Sequence, residues 1–269
     1  MKLVIKKIFK FFYLLTFDSD FREFLILYIL HSNKKRYIKY RGISFSGFKF
    51  NVVDMPSFLW QIKEIFIDKI YKFNIINPNG LIIDCGVNIG VSLLYFSRYY
   101  PNSKIIGFEA DRNISIVCSE NLFNNFIDNV LLINAAVWIN NDGISFDSDG
   151  ADGGAISMNS SNKLIDSVRL KDKLGEFSEV ELLKLDIEGA ELELLIDCKN
   201  SLKNVNNIFI EYHSRVNSKQ SLSVILDILE QNQFRYYIED LSKKKSPFTS
   251  FHQSHNFDLQ LNIYAKKTF

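Results

Sequence analysis

The chain has 269 residues, of which 32 are basic and 31 are acidic, so its formal net charge is +1. Proteins that bind nucleic acid through its phosphates carry a surplus of basic residues, and this balance therefore gives no support to a DNA or RNA partner. Hydrophobic residues make up 47% of the chain and include 24 Phe, which is enough to build a packed core. We expect a globular protein whose partner is a small molecule or a glycan.

The front of the chain, residues 1–30, is rich in Leu, Ile and Phe. No cleavage site follows it, its apolar stretches are too short to span a bilayer, and charged residues interrupt them, so secretion is not expected. Two alternatives stay open for this segment: helices that pack on the rest of the chain or on a partner subunit, and a basic amphipathic helix on a membrane surface. Basic residues that keep the second alternative open are Lys34, Lys35, Arg36, Lys39 and Arg41.

An apolar run at residues 81–83 leads into a short glycine loop that ends at Gly90. Gly86 lets the backbone turn tightly and approach a ligand, and Gly90 stands where the next helix must pack closely on the strand. The Gly-x-Asn-x-Gly spacing, with Asn88 at its centre, differs from the Gly-x-Gly-x-x-Gly loop that binds a pyrophosphate. With Asp84 before it, the tighter loop favours a cofactor without phosphates, such as S-adenosylmethionine. An ordinary strand turn is the alternative.

A second apolar run, residues 104–108, ends in Glu109. A carboxylate about twenty residues beyond such a loop is expected to bind the ribose hydroxyls of a nucleoside cofactor. Loop, helical pattern and terminal acid in this order favour a cofactor site over a plain turn. Further along, residues 182–191 repeat the design of a strand that ends in carboxylates and a glycine turn.

Five segments of the chain stand out: DCGVNIG at 84–90, GFEAD at 107–111, INAAV at 133–137, LKLDIEGAE at 183–191 and FIEYH at 209–213. Together they resemble the FkbM-type methyltransferase family across roughly residues 80–240, and residues 58–73, with Glu64 and Tyr71, resemble the lead-in of that family. The resemblance implies dependence on S-adenosylmethionine and methylation of hydroxyl oxygens. Where the family often has Leu-Asp-Asp before the LKLDIEGAE strand, this chain has Leu170, Lys171 and Asp172, so the first acid is absent.

Strand and helix patterns alternate after residue 80, which predicts a doubly wound α/β fold with a mostly parallel sheet covered on both faces. The strand patterns lie near residues 81–85, 104–109, 130–134, 182–186, 207–211, 235–239 and 260–265. We predict an N-terminal helical extension over residues 1–75 and one Rossmann-like, seven-stranded domain over residues 76–269. An insert at 140–170 is expected to form a hairpin and a surface loop, in which residues 149–154 form either a lid or an exposed turn.

The resemblance implies the strand order 3-2-1-4-5-7-6, which makes the first and fourth strands neighbours. Ligands of doubly wound sheets bind beyond the carboxyl ends of the strands. The expected cofactor-binding residues are Asp84, Gly86, Asn88, Gly90, Glu109, Asn134 and Ala135, the last two at the adenine.

Asp186 is the first choice for orienting the acceptor or for removing its proton, because it ends the strand beside the cofactor loop. It could instead cap the helix that begins near Ala190, an alternative that Glu188 shares. His213 has the intrinsic pKa of a base, and a structural histidine is the alternative. The predicted catalytic residues are Asp186, Glu188 and His213, with Glu211 as a further candidate for the base.

No metal site is predicted. His252 and His255 have no supporting ligands and are expected in a polar loop. Converging acids that hold a divalent cation are an alternative. The three cysteines, Cys85, Cys118 and Cys198, are odd in number and widely spaced, and they are expected to be buried thiols in a reducing compartment.

The leading hypothesis is an S-adenosylmethionine-dependent O-methyltransferase, cytoplasmic or associated with the inner face of a membrane. By family analogy, its acceptor is a sugar hydroxyl of a polysaccharide or glycolipid. A non-catalytic S-adenosylmethionine-binding scaffold in a glycan-assembly complex is the alternative. An NAD-dependent oxidoreductase is disfavoured because the Gly-x-Gly-x-x-Gly loop is missing.

Overall fold

The computed structural model describes residues 12–147, 150, 155–156, 163–216, 218–241, 246, 248–249 and 257–267. Apart from Gly150, the predicted lid at 149–154 lies outside the described residues, as do His252, His255 and the first eleven residues.

A seven-stranded sheet forms the centre of the molecule. Its order is β13-β14-β12-β11-β3-β4-β5, with β14 antiparallel to both of its neighbours and the other described pairings parallel. In chain order its strands are β3 (Leu81–Cys85), β4 (Lys104–Phe108), β5 (Val130–Ile133), β11 (Val180–Leu185), β12 (Val205–Arg215), β13 (Phe234–Asp240) and β14 (Phe257–Lys267). This is the order 3-2-1-4-5-7-6, so the predicted fold class and strand order are confirmed.

Helices cover the sheet, so its central strands are buried on both faces, as in parallel sheets generally. All residues of β3 and β11 are buried. The helices that follow the strands are α3 (Val91–Tyr99), α4 (Arg112–Asn124), α5 (Leu170–Gly175), α6 (Glu191–Cys198) and α7 (Leu222–Gln231), with a 3₁₀ turn at Leu202–Asn204. Two hydrophobic clusters fill the space between these layers.

The front segment differs from the predicted helical extension because it also contains a β-hairpin. Its elements are helical residues 12–17, α1 (Ser19–His31), β1 (Tyr40–Phe45), β2 (Phe48–Val52), α2 (Met55–Ile62) and a π-helix (Lys63–Asp68). Ser46 and Gly47 form the two-residue turn, and both have positive φ, 52° and 74°, as the turns of tight hairpins require. Apolar residues recur at every second position on both sides of the turn. This period of two is typical of strands, and it explains why a hairpin forms there instead of the predicted helix.

The front segment packs into the same core as the sheet. Phe45, Phe58 and Phe66 are fully buried in the cluster that also contains Leu94 and Tyr95 of α3. The division at residue 75 stays a prediction. In the part of the chain that the structure describes, no helix combines the length and the apolar character needed to cross a membrane.

The insert after β5 forms small strands beside the main sheet. Strands β7 (Ile144–Asp147), β8 (Ala155–Ile156) and β9 (Lys163–Ile165) make an antiparallel sheet in the order β8-β7-β9. Strands β6 (Ala136–Trp138) and β10 (Ser167–Arg169) pair in parallel.

Candidate active site

A cavity of about 440 Å³ opens at the carboxyl ends of β3, β4 and β11. Its size is in the usual range for a small-molecule site, and it lies where the winding of the sheet reverses. Six of the predicted site residues line it: Gly86, Asn88, Glu109, Ala135, Asp186 and Glu188. Four other predicted site residues do not line the cavity: Asp84, Gly90, Asn134 and His213. Each of them contacts other side chains or backbone groups near the cavity.

The loop after β3 requires a glycine at its first position. Gly86 has φ +87°, and a Cβ there would lie 1.9 Å from the carbonyl oxygen of Asp186. The Asp186 N–H donates to the carbonyl of Cys85 over 3.2 Å, so the two acid-ended strands meet at this glycine. Any larger residue would push the two loops apart.

Glu109 lies at the end of β4 and faces the same loop. Its Oε2 accepts from the Asn88 N–H at 2.8 Å, and its Oε1 accepts from the Asp111 N–H at 2.9 Å. Burial raises the pKa of Glu109 to about 7. Each carboxylate oxygen has a second lone pair, so ribose hydroxyls could donate to the same side chain.

Gly90 and Asn134 support this half of the cavity from outside it. A Cβ on Gly90 would lie 2.8 Å from the Cys118 sulfur, so this glycine allows close packing of α3 and α4. Asn134 is exposed, and its Nδ2 donates to the Glu109 carbonyl over 2.8 Å. Both therefore position the loops, and direct cofactor contact for either stays a prediction.

Lys184 joins the two halves of the cavity. Its Nζ lies 3.0 Å from Asp84 Oδ1 and 3.3 Å from Asp186 Oδ2, and it donates to the Gly86 carbonyl over 2.9 Å. Burial disfavours its charge, but the two carboxylates raise the pKa of Lys184 above its usual range. Asp84 is fully buried. It therefore holds Lys184 rather than reaching into the cavity.

Three carboxylates face the other half of the cavity: Asp186, Glu188 and Glu211. Burial, with Asp186 nearby, raises the pKa of Glu211 well above its usual range. Helix α6 begins after Ala190 without a side-chain cap, so Asp186 does not cap it. That leaves the Asp186 side chain to the cavity and to Lys184.

His213 lies among carboxylates, 3.3 Å from Glu191 Oε1, 3.5 Å from Glu188 Oε2 and 3.6 Å from Glu211 Oε1. Burial alone would lower its pKa, but these acids raise the pKa of His213 to about 10. A protonated imidazole cannot accept a proton. The geometry therefore favours the structural alternative for His213 over the role of a base.

The front segment supplies cavity residues that sequence reasoning missed. Trp60, Gln61 and Glu64 come from α2 and the π-helix, and all three line the cavity. Burial raises the pKa of Glu64 to about 7. π-Helical turns are frequent at functional sites, but no residue pattern announces them. Lys184 did carry a signal, because it is a charged residue between Leu183 and Leu185 of a buried strand.

The cysteines are buried and unpaired, as predicted. Among the residues described, no group of three or more His, Cys, Asp or Glu side chains is arranged to hold a metal ion.

The sheet order, the reversed last strand and two acid-ended strands around one cavity define a Rossmann-like fold of the methyltransferase type. The sequence profile described as "Methyltransferase FkbM domain" matches residues 84–236. Because this match covers more than half of the 269 residues, the chain belongs to the FkbM methyltransferase family. The predicted family and the prediction of a methyltransferase are confirmed.

Three relatives carry methyltransferase names. Methyltransferase sdnD of Sordaria araneosa is 29% identical over 175 residues, 49% of this chain and 66% of that protein. Methyltransferase 1 of Beauveria bassiana is 26% identical over 204 residues, 66% of this chain and 81% of that protein. The 2-O-methyltransferase NoeI of Sinorhizobium fredii is 24% identical over 176 residues, 56% of this chain and 72% of that protein. The chain thus spans just under two thirds of the first relative.

Two solved structures align with the chain at low identity. TYW2 of M. jannaschii, in complex with AdoMet, is 12% identical with a TM-score of 0.48, over 87% of this chain and 88% of that chain. Precorrin-6y C5,15-methyltransferase of Geobacter metallireducens GS-15 is 14% identical with a TM-score of 0.46, over 84% of this chain and 96% of that chain.

Proposed function

We propose that the protein transfers a methyl group from S-adenosylmethionine to a sugar hydroxyl of a polysaccharide or glycolipid. The observation that carries this proposal is the single cavity lined by both the Gly86 loop with Glu109 and the acids Asp186 and Glu188. A relative named as a 2-O-methyltransferase supports an oxygen acceptor. The balanced net charge supports an acceptor that is not a nucleic acid.

The residues around the Gly86 loop fit S-adenosylmethionine. Gly86 lets the loop backbone lie directly against Asp186, where a Cβ would clash with the Asp186 carbonyl oxygen, and Glu109 keeps lone pairs for two hydroxyl donors. Ala135 gives a small, apolar border at the expected adenine position. When bound, S-adenosylmethionine supplies a methyl carbon on a positively charged sulfur.

The acids in the other half of the cavity bind and orient the acceptor. Asp186, held in place by Lys184, accepts a hydrogen bond from the acceptor hydroxyl and orients its oxygen. Asp186 also takes this proton as the methyl carbon leaves the sulfur and bonds to the acceptor oxygen, which leaves S-adenosylhomocysteine and a methyl ether. Alignment of this kind can contribute up to about 7–11 kcal/mol to lowering the barrier.

Two substitutions separate cofactor binding from transfer. We expect Glu109→Gln to raise the dissociation constant of S-adenosylhomocysteine at least about tenfold, because the ribose loses a charged acceptor. We expect Asp186→Asn to bind S-adenosylhomocysteine normally and to lose about 10²-fold or more in methyl transfer, because the acceptor is no longer held.

Titration calorimetry with S-adenosylhomocysteine and tritium transfer from labelled S-adenosylmethionine into a panel of glycans measure the two effects. Glu193→Gln, an exposed acid on α6, is the matched control. Tight cofactor binding with no transfer to any glycan would favour the scaffold alternative instead.

The surroundings of the reaction are also part of the proposal. Three buried, unpaired thiols support a reducing, cytoplasmic location. Exposed apolar side chains on α1, among them Ile26, Ile29 and Leu30, support contact of this helix with a membrane surface or a partner protein.

A further inference from the structure

A second groove, of about 680 Å³, lies beside the cavity. The π-helix forms one wall, and β13 and β14 form the other. Trp60 and Glu64 line both the groove and the cavity, so the two spaces meet at these side chains. A molecule that reaches the acceptor side of the cavity could therefore continue into the groove.

The sheet presents a row of polar side chains along this route. Glu211 of β12 pairs with Asn262 of β14, which in turn pairs with Glu239 of β13. Directly opposed residues of antiparallel strands point to the same face of a sheet, so the three lie side by side. Glu211 lines the cavity, whereas Asn262 and Glu239 line the groove.

Asn262 has an unused hydrogen-bond acceptor. The residue is only 1% exposed and lines the groove, and its Oδ1 is buried without a hydrogen-bond partner among the described residues. A buried polar atom without a partner costs free energy, and a hydroxyl donor in the groove would remove that cost.

Aromatic rings lie next to the polar row. Tyr237 and Tyr264 pair across β13 and β14 with ring centroids 6.0 Å apart, and Tyr237 is 66% exposed. Trp60 is 56% exposed at the junction with the cavity. The groove thus combines exposed aromatic rings with carboxylate and amide acceptors.

We propose that this groove binds a second sugar unit of the acceptor, next to the unit that is methylated. A sugar ring has an apolar C–H face that packs on an aromatic ring and a rim of hydroxyls that donate to Asn262, Glu239 and Glu64. Lysines and acids both line the groove, which favours an uncharged unit. This inference rests on the proposed function, because it takes the acceptor to be a glycan.

The experiment compares acceptors of one and two units. The probes are methyl glycosides of hexoses and deoxyhexoses, the disaccharides built from the same sugars, and octyl glycosides of the single units. For each, kcat/KM is measured with labelled S-adenosylmethionine. We expect disaccharides to exceed the matched methyl glycosides by about tenfold or more, and Tyr237→Ala to remove that advantage.

Two controls accompany Tyr237→Ala. Tyr237→Phe keeps the ring and should keep the preference for disaccharides. Phe123→Ala removes a ring that is 81% exposed on α4, outside the groove, and should also keep the preference.

Three results would overturn the inference. Equal kcat/KM for one and two units, or a preference that Tyr237→Ala leaves intact, would remove the second sugar site while the proposed function stands. A preference for octyl glycosides that Tyr237→Ala abolishes would assign the groove to a hydrocarbon chain. Binding of S-adenosylhomocysteine without methylation of any sugar would contradict the proposed function itself, and this inference with it.

Discussion

Lys184 is a buried cation that links the cofactor loop to the proposed acceptor acid. It contacts Asp84, Asp186 and the Gly86 carbonyl at once, so the position of Asp186 depends on the loop that precedes α3. A buried ion pair of this kind gives little net stability, since desolvation of both charges opposes their attraction. We interpret the contacts of Lys184 as interactions that fix the separation between the two halves of the cavity.

Gly86→Ala tests this coupling at a single residue. The added Cβ would meet the Asp186 carbonyl oxygen at 1.9 Å, so one of the two loops must move. We expect a loss of S-adenosylhomocysteine affinity of about 10²-fold, because the displaced loop no longer matches the cofactor. Titration calorimetry on the purified variant measures it.

Gly42→Ala is the matched control. Gly42 also has a positive φ, +66°, but a Cβ there would meet nothing within 4 Å. It should cost about 1–2 kcal/mol of the free energy of unfolding, from backbone strain, and leave cofactor affinity unchanged. Equal affinities for the two variants would contradict the close approach at residue 86.

Several site residues were predictable from sequence because they end apolar strands. Glu109 and Asp186 follow β4 and β11 directly, and the carboxyl ends of parallel strands meet at one edge of the sheet. The role of Asp84 was not predictable, because its partner Lys184 lies 100 residues further along the chain, in another strand. Side-chain neighbours across a sheet depend on register, which the sequence alone does not provide.

At the scale of elements, β12 carries His213, which lies close to three acids. Substituting His213 removes a cation that lies within 4 Å of Glu188, Glu191 and Glu211. We expect His213→Asn to lower the free energy of unfolding by about 3–5 kcal/mol at neutral pH. Urea unfolding followed by circular dichroism measures this change.

The dependence of the free energy of unfolding on pH has a definite sign. The pKa of His213 is raised from its ordinary 6.5 to about 10 in the folded protein, so the folded state binds more protons than the unfolded state between these values. The contribution of His213 is complete below pH 6.5 and is lost as the pH rises through 10. The wild-type stability should fall more steeply over this window than that of His213→Asn. Parallel curves would rule out the acid cluster as the partner of His213.

The sequence predicted all seven strands of the main sheet, because each contains apolar and aromatic residues in a pattern typical of strands. It did not predict the hairpin of β1 and β2 or the π-helix. A short front segment rich in Phe and Ile suits a helix or a strand equally well, and tertiary packing decides between them. The Ser46–Gly47 turn was the available signal.

At the scale of the whole molecule, the front segment forms one side of the site and the sheet forms the other. Residues of α2 and the π-helix line the cavity and the groove, while the Gly86 loop and Asp186 lie on the sheet side. The sequence showed a family resemblance at residues 58–73, but it assigned no site residue to the front segment. Its contribution follows only from the shared core that holds it against α3.

A crystal structure of the protein with S-adenosylhomocysteine tests the central claim most directly. We expect the ribose hydroxyls to donate to Glu109, the adenine to border Ala135, and the sulfur to face the side of the cavity that contains Asp186. A ligand bound elsewhere, or one whose sulfur points away from Asp186, would contradict the claim that donor and acceptor meet in this cavity.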